Sequence, residues 1–158
     1  MKVFENLDEV MNNFSTSGGF LTVKADNAVN TMTVSWGFIG FLWGKPHFIV
    51  FVRPQRYTKE IIDKADDFTL SIPFKNMKEQ LSICGTKSGR DINKSDVVNF
   101  VPAKAVNSPV VQGCDAYYEC RIRYVDKFDD ESVPHFIKMQ MYNNDLHSVY
   151  IGEIVDCY

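Results

Sequence analysis

Residues Asn30 to Gly37 alternate with the period of a β-strand: Thr31, Thr33 and Ser35 point one way, Met32, Val34 and Trp36 the other. The rest of the chain repeats this short-strand pattern. Phe20 to Ala25, His47 to Val52, Phe68 to Ile72, Ala116 to Val125 and Ser148 to Val155 read as further strands, dense in β-branched and aromatic residues. Turn signals punctuate them at Ser15-Thr16-Ser17-Gly18-Gly19, Asp26-Asn27-Ala28 and Gly44-Lys45-Pro46. Helical signals are brief. Leu7, Val10, Met11 and Phe14 stand at helical spacing; Thr58 is an N-cap for a helix over Lys59 to Ala65; Asn76-x-x-Glu79 opens another, with Gly85 placed to end it. Residues 126–144 are charged and less regular, an excursion with room for a helical turn. With no strand–helix–strand rhythm, the expectation is one mainly β domain over residues 1–158 with short helices, arranged as a barrel and not as a doubly wound sheet.

Charge is distributed unevenly along this fold. The chain has 158 residues and a formal charge of −3, yet no carboxylate occurs between Asp26 and Glu60, where Lys45, Arg53, Arg56 and Lys59 lie. Both tryptophans, Trp36 and Trp43, fall in the same stretch. Such a region can hold an anion beside an aromatic surface, the profile of a nucleotide or a flavin. No G-x-G-x-x-G occurs, so a dinucleotide-type site on a parallel sheet is not supported.

Several classes are disfavoured. The net negative charge argues against a nucleic-acid partner, which calls for broad basic surfaces. Apolar runs are too short for a signal peptide or a membrane span, so the expected location is the cytoplasm. Cys84, Cys114, Cys120 and Cys157 are too scattered for a zinc site and are read as reduced thiols.

An ordered set of motifs then becomes specific. It runs Asn30-Thr31-Met32-Thr33-x-Ser35-Trp36-Gly37, Lys45-Pro46, Val52-Arg53-Pro54-Gln55-Arg56-Tyr57-Thr58 and Phe68-Thr69-Leu70-Ser71. Cys84-Gly85-Thr86-x-Ser88-Gly89-Arg90-Asp91 with Lys94, and His147-x-x-Tyr150-Ile151-Gly152-Glu153-Ile154, complete it. In this order, across roughly residues 18–155, the chain resembles the FMN-binding split-barrel family of flavin reductases and flavoredoxins.

The resemblance implies a split β-barrel and a set of cofactor-binding residues: Asn30, Thr31, Met32, Thr33, Ser35, Trp36, Arg53, Arg56, Tyr57, Thr58, Ser88, Lys94 and His147. Asn30 and Trp36 match residues around the flavin ring, where an amide can meet the mixed donor and acceptor edge of the pyrimidine. Arg53, Arg56 and Thr58 match the segment around phosphate and ribityl chain, with Ser35 a further phosphate candidate. Lys94 matches a lysine that approaches the ring, where a cation would favour the reduced anionic flavin. His147 matches a histidine near the ring.

The implied activity is FMN-bound oxidoreduction, with NADH or NADPH as donor and free flavin or a redox protein as acceptor. The family usually builds its flavin site at a subunit interface, so a homodimer is expected. A flavoredoxin-type electron carrier and a flavin-free split-barrel binding protein remain the alternatives. Two departures stand out: residues 127–145 are longer than the family's short turn, and the chain ends soon after its last strand.

Overall fold

The computed structural model describes residues 2–158. It opens with helix α1 (Leu7–Thr16), followed by β1 (Gly19–Ala25), β2 (Ala28–Val34), β3 (Gly37–Leu42) and β4 (Lys45–Val52). Helix α2 (Tyr57–Ile62), β5 (Asp67–Ile72) and helix α3 (Lys78–Thr86) come next. The short pair β6 (Phe100–Val101) and β7 (Val110–Val111) precedes β8 (Ala116–Lys127), α4 (His135–Met141) and β9 (Ser148–Cys157). Strand makes up 38% and helix 22%, so the protein is mainly β with short helices, as expected.

Seven strands form one antiparallel sheet in the order β2-β1-β5-β8-β9-β4-β3. The strands β2 and β3 are consecutive in the chain yet occupy opposite edges. Only Ser35 and Trp36 connect them. Laid flat, seven strands would separate the edges by six steps of about 4.8 Å, roughly 29 Å in all. The connection reaches at most about 11 Å from Val34 to Gly37. The sheet must therefore curl until its edges nearly meet, leaving an open seam. This is a split-barrel-like fold whose sheet is not closed.

The curl wraps a core that includes Phe14 of α1 and the strand residues Phe48, Phe68, Leu70 and Tyr150, all fully buried. Phe48 packs edge-on against Phe14 at 5.4 Å and against Tyr118 at 5.5 Å. A second, smaller cluster of Phe20, Leu81, Cys84, Val98 and Val111 lies under α3.

Residues 102–109 carry no regular structure, and two carboxylates on the sheet hold them. Glu119, fully buried, accepts Lys104 N–H at 2.8 Å, Ala105 N–H at 2.6 Å and the Tyr158 hydroxyl at 2.9 Å. Asp67 accepts Asn107 N–H at 2.9 Å and Ser108 N–H at 2.8 Å. Backbone donors that no ladder serves, the buried Ser108 N–H among them, are satisfied this way.

Several local expectations need correction. Thr58 does not cap α2; Arg56 is the capping residue, and Thr58 is buried inside the helix, accepting a hydrogen bond from Asn30. Gly85 does not end α3 but sits in its last turn, where an added Cβ would come 3.3 Å from Thr33 Cβ. A side chain there would crowd Thr33, and helix or strand would have to give by a few tenths of an ångström. The helix begins after Met77, with no side-chain cap from Asn76. The turn expected at Gly44-Lys45-Pro46 falls one residue earlier, on Trp43 and Gly44, both at positive φ. Trp36, expected on a strand, lies on the seam connection and is 44% exposed. Residues 128–147 do contain the helical turn, as α4.

Candidate functional site

The seam opens into a groove with two chemically different ends. At one end a cavity of about 250 Å³ lies between β2, α2 and the loop after α3, lined by Asn30, Met32, Arg56, Tyr57, Thr58, Cys84, Ser88, Gly89 and Lys94 among others. Met32 and Arg56 also line a neighbouring recess of about 130 Å³ with Thr33, Ser35, Trp36, Phe51, Arg53 and His147. The expected site residues thus converge, with one exception. Thr31 lines neither space: its fully buried hydroxyl donates to Leu21 O at 3.1 Å and meets Thr22 Oγ1 at 3.0 Å.

The cations of the acid-free stretch divide sharply. Lys45 pairs with Glu153 at 2.6 Å, Arg53 with Asp145 at 2.7 Å, and Lys59 with Asp63. Arg56 has no carboxylate partner among the described residues; one of its terminal nitrogens donates to Gly85 O at 3.1 Å. Lys94, 3% exposed, donates to Thr31 O and Cys84 O, each at 3.1 Å. An ammonium has three donors, so one remains. Burial draws Lys94 below its ordinary pKa; Cys84 opposes this and nearby Arg56 adds to it. Burial likewise raises the Cys84 thiol, against the pull of Lys94.

Lys87 and Arg90 join Arg56 and Lys94 around the first cavity, and no acid lines it. Arg90 is partly neutralised by Glu60 outside the cavity and lies over the Tyr57 ring at 5.4 Å. Like charges gathered in a half-buried space favour an incoming anion, because the anion relieves their repulsion. Gly89 brings the loop backbone hard against Asn30, whose amide is fixed by its 2.9 Å bond to Thr58.

The other end is aromatic. Trp36, Phe51, Phe128, Tyr142 and His147 gather there, and Arg53 lies 5.8 Å over Trp36 and 5.0 Å over Tyr142. Arg53 also donates to Met141 O at 2.8 Å. Asn143 N–H, Gln55 and Arg53 hold the Asp145 carboxyl well below its usual range. Tyr142 Oη and His147 Nδ1 are 2.7 Å apart. Burial and Arg53 push the His147 imidazole down to about 4. Between pH 6.5 and 4 the unfolded chain therefore takes up a proton that the folded one refuses. Stability is full above 6.5 and falls through that window by about 3 kcal/mol. His147→Gln should flatten this slope relative to the parent in urea melts at pH 7, 5.5 and 4; parallel curves would remove His147 as the source.

Gln55, Phe51, Lys87, Arg90, Phe128 and Tyr142 are site residues beyond those expected from the sequence. Arg90 stood within a recognised motif. Phe128 and Tyr142 belong to the long excursion, and no local pattern marks them.

The residues present fit a flavin mononucleotide: cations without acids and a buried amide at one end, and Trp36 and His147 of the recess at the other. No cluster of metal-binding side chains occurs among the described residues.

Residues 11–158 match the flavin reductase like domain, and the chain belongs to that family. Membership supports a flavin-binding redox role. Among solved structures, the chain resembles flavoredoxin from Methanosarcina acetivorans, 21% identical, with TM-score 0.73 over 90% of this chain and 67% of that one. It also resembles an FMN-binding protein from Thermus thermophilus with bound 1-cyclohex-2-enone, 22% identical, with TM-score 0.71 over 90% and 69%. An NADH:FAD oxidoreductase from Streptomyces globisporus C-1027 is 16% identical, with TM-score 0.71 over 96% and 80%. At these identities the likeness speaks for the fold. An uncharacterised protein of Pyrococcus abyssi is 28% identical over 108 residues, 66% of this chain and 60% of that protein's length.

Proposed function

We propose that the protein binds FMN along the seam and works as an oxidoreductase. NADH or NADPH would be the donor, and free flavin or a redox protein the acceptor. The carrying observation is the cavity lined by Arg56, Lys87, Arg90 and Lys94 with no acid, continuous through Met32 and Arg56 with the recess of Trp36 and His147. Arg56 and Lys94 would hold the anionic and electron-rich parts, and Asn30 and Gly89 would set the depth of entry. The bound flavin would supply the hydride chemistry, while the protein orients it and sets its potential. No general acid or base is needed from these residues for that.

A homodimer belongs to the same reading, supported by Phe41 and Trp43, which stand 70% and 62% exposed on the β3–β4 hairpin. A cytoplasmic setting suits the four free cysteines. Among the described residues no helix is long and apolar enough to cross a membrane.

The decisive experiment is to purify the protein, record its visible spectrum, and add NADH or NADPH without oxygen. A yellow protein that bleaches rapidly supports the reductase. A yellow protein bleached only by a chemical or protein donor identifies the electron carrier. A colourless protein that takes up no added FMN sinks both and leaves the flavin-free binding protein. Arg56→Ala should weaken FMN binding roughly tenfold, about 1.4 kcal/mol, because it removes a cation that no carboxylate neutralises. Unchanged affinity in a fluorescence titration would take Arg56 out of the site.

A further inference from the structure

Beyond the recess, the seam widens into an open-mouthed chamber of about 430 Å³, where Trp36 and Phe38 stand 44% and 60% exposed, with no acid, lysine or arginine in its lining. Its walls are rings: Trp36, Phe38, Phe51, Phe128, Tyr142 and His147. Phe128 stacks on Phe51 at 5.5 Å and 28°, and Phe38 meets Phe51 edge-on at 5.8 Å. Tyr142 and Trp36 stand against His147 at 5.2 Å and 5.3 Å. Two of the six rings, Phe128 and Tyr142, come from the excursion between β8 and β9.

We propose that this excursion builds a binding chamber for a flat, uncharged aromatic or quinone-type molecule, which serves as an electron acceptor. The inference rests on the flavin role proposed above and adds an acceptor class to it. Size fits first: the volume lies in the range of small-ligand cavities, roughly 300–1,000 Å³. Charge fits next. Arg53, which overlies Trp36 and Tyr142, has one terminal nitrogen on Asp145 and the other on Met141 O, so it has little to offer an anion. His147 stays neutral at physiological pH. Polarity is confined to a few anchors, chiefly Ser35 and the Tyr142–His147 pair, enough to orient one carbonyl or hydroxyl. The division of labour along the groove is therefore electrostatic: the phosphate goes to the cationic end, and an uncharged ring to this one. Reduction of a quinone to its hydroquinone balances with one hydride, which the nicotinamide donor supplies by way of the flavin, and one proton from solvent.

The test reads binding rather than turnover. Trp43→Phe leaves Trp36 as the only tryptophan, and its fluorescence in the FMN-free protein reports on the chamber. The probe is 2,3-dimethyl-1,4-naphthoquinone, whose blocked ring positions prevent thiol addition, with 2-naphthoate as a flat anion of similar size. Saturable quenching by the quinone, at least roughly tenfold stronger than by 2-naphthoate, is the expected result. In the same background, Phe128→Ala and Tyr142→Ala should each weaken quinone binding roughly tenfold. Tyr142→Phe, which keeps the ring, should lose less. Circular dichroism establishes that each variant is folded. Non-saturable quenching, equal binding of the anion, or unchanged affinity in folded Phe128→Ala would overturn the proposal. FMN uptake is titrated separately. Quinone binding without FMN uptake overturns the flavin role and leaves the chamber; FMN uptake without quinone binding overturns the chamber alone.

Discussion

Gly89→Ala is expected to strip the protein of FMN: it should purify colourless, and added FMN should bind at least roughly tenfold more weakly. The reason is steric. A Cβ at position 89 would lie 2.2 Å from Asn30 Oδ1 and 2.6 Å from Tyr57 Cδ1. Asn30 cannot yield, being 3% exposed and bonded through its amide nitrogen to Thr58. Tyr57 in turn has the Arg90 guanidinium over its ring. The loop backbone must therefore retreat, carrying Ser88 and Arg90 out of register with Arg56 and Lys94. The barrel itself should survive, because the loop is partly exposed and lies outside the core. A Gly89→Ala protein that stays yellow with unchanged affinity would show that this loop does not shape the flavin site.

The largest effect on stability is expected from Glu119→Ala. Glu119 looks unremarkable in sequence, an acid in the alternating strand Ala116 to Val125. In the structure it is fully buried and accepts two backbone N–H groups and the Tyr158 hydroxyl. Removing the carboxylate takes the acceptor from three part-buried donors, at about 1 kcal/mol each. A total loss of about 3 kcal/mol corresponds to a melting temperature lower by roughly 10 °C for a domain of this size. Glu119→Gln should recover only part of it, because its NH₂ group would face a donor where an acceptor is needed. Glu79→Ala, on the exposed face of α3, serves as the control and should fall within about 0.5 kcal/mol of the parent. A small change on Glu119→Ala would mean that residues 102–109 are held by other contacts.

These two residues illustrate what could be read in advance. The mainly β character was legible because strand period and turn residues are local signals, as in Asn30 to Val34 and His47 to Val52. Gly89 stood inside a recognisable motif, although its tight approach to Asn30, 59 positions earlier, did not. Strand β3 went unread. Its glycines and its exposed Phe38 and Phe41 make it an edge strand without the alternation that a half-buried strand shows. Arg53 read as a cation available for phosphate, yet its carboxylate lies 92 residues away in the excursion. Trp36 read as a strand residue because the alternation runs on past Val34, where pairing stops. Thr31 illustrates the opposite case: it sits in the motif, but the fold directs its hydroxyl into the sheet. In each case the missing information is a long-range partner, which periodicity cannot supply.

The two-residue strap of Ser35 and Trp36 has a further consequence. Since β2 and β3 are tethered there by so little chain, the separation of the two edges at that point is a covalent dimension, fixed by the count of peptide units. Exchanging side chains along the seam can change what it prefers to hold, but not how far its edges stand apart at the strap. Lengthening the strap by even two residues would raise its reach by about 7 Å. The two edges would then be free to part there.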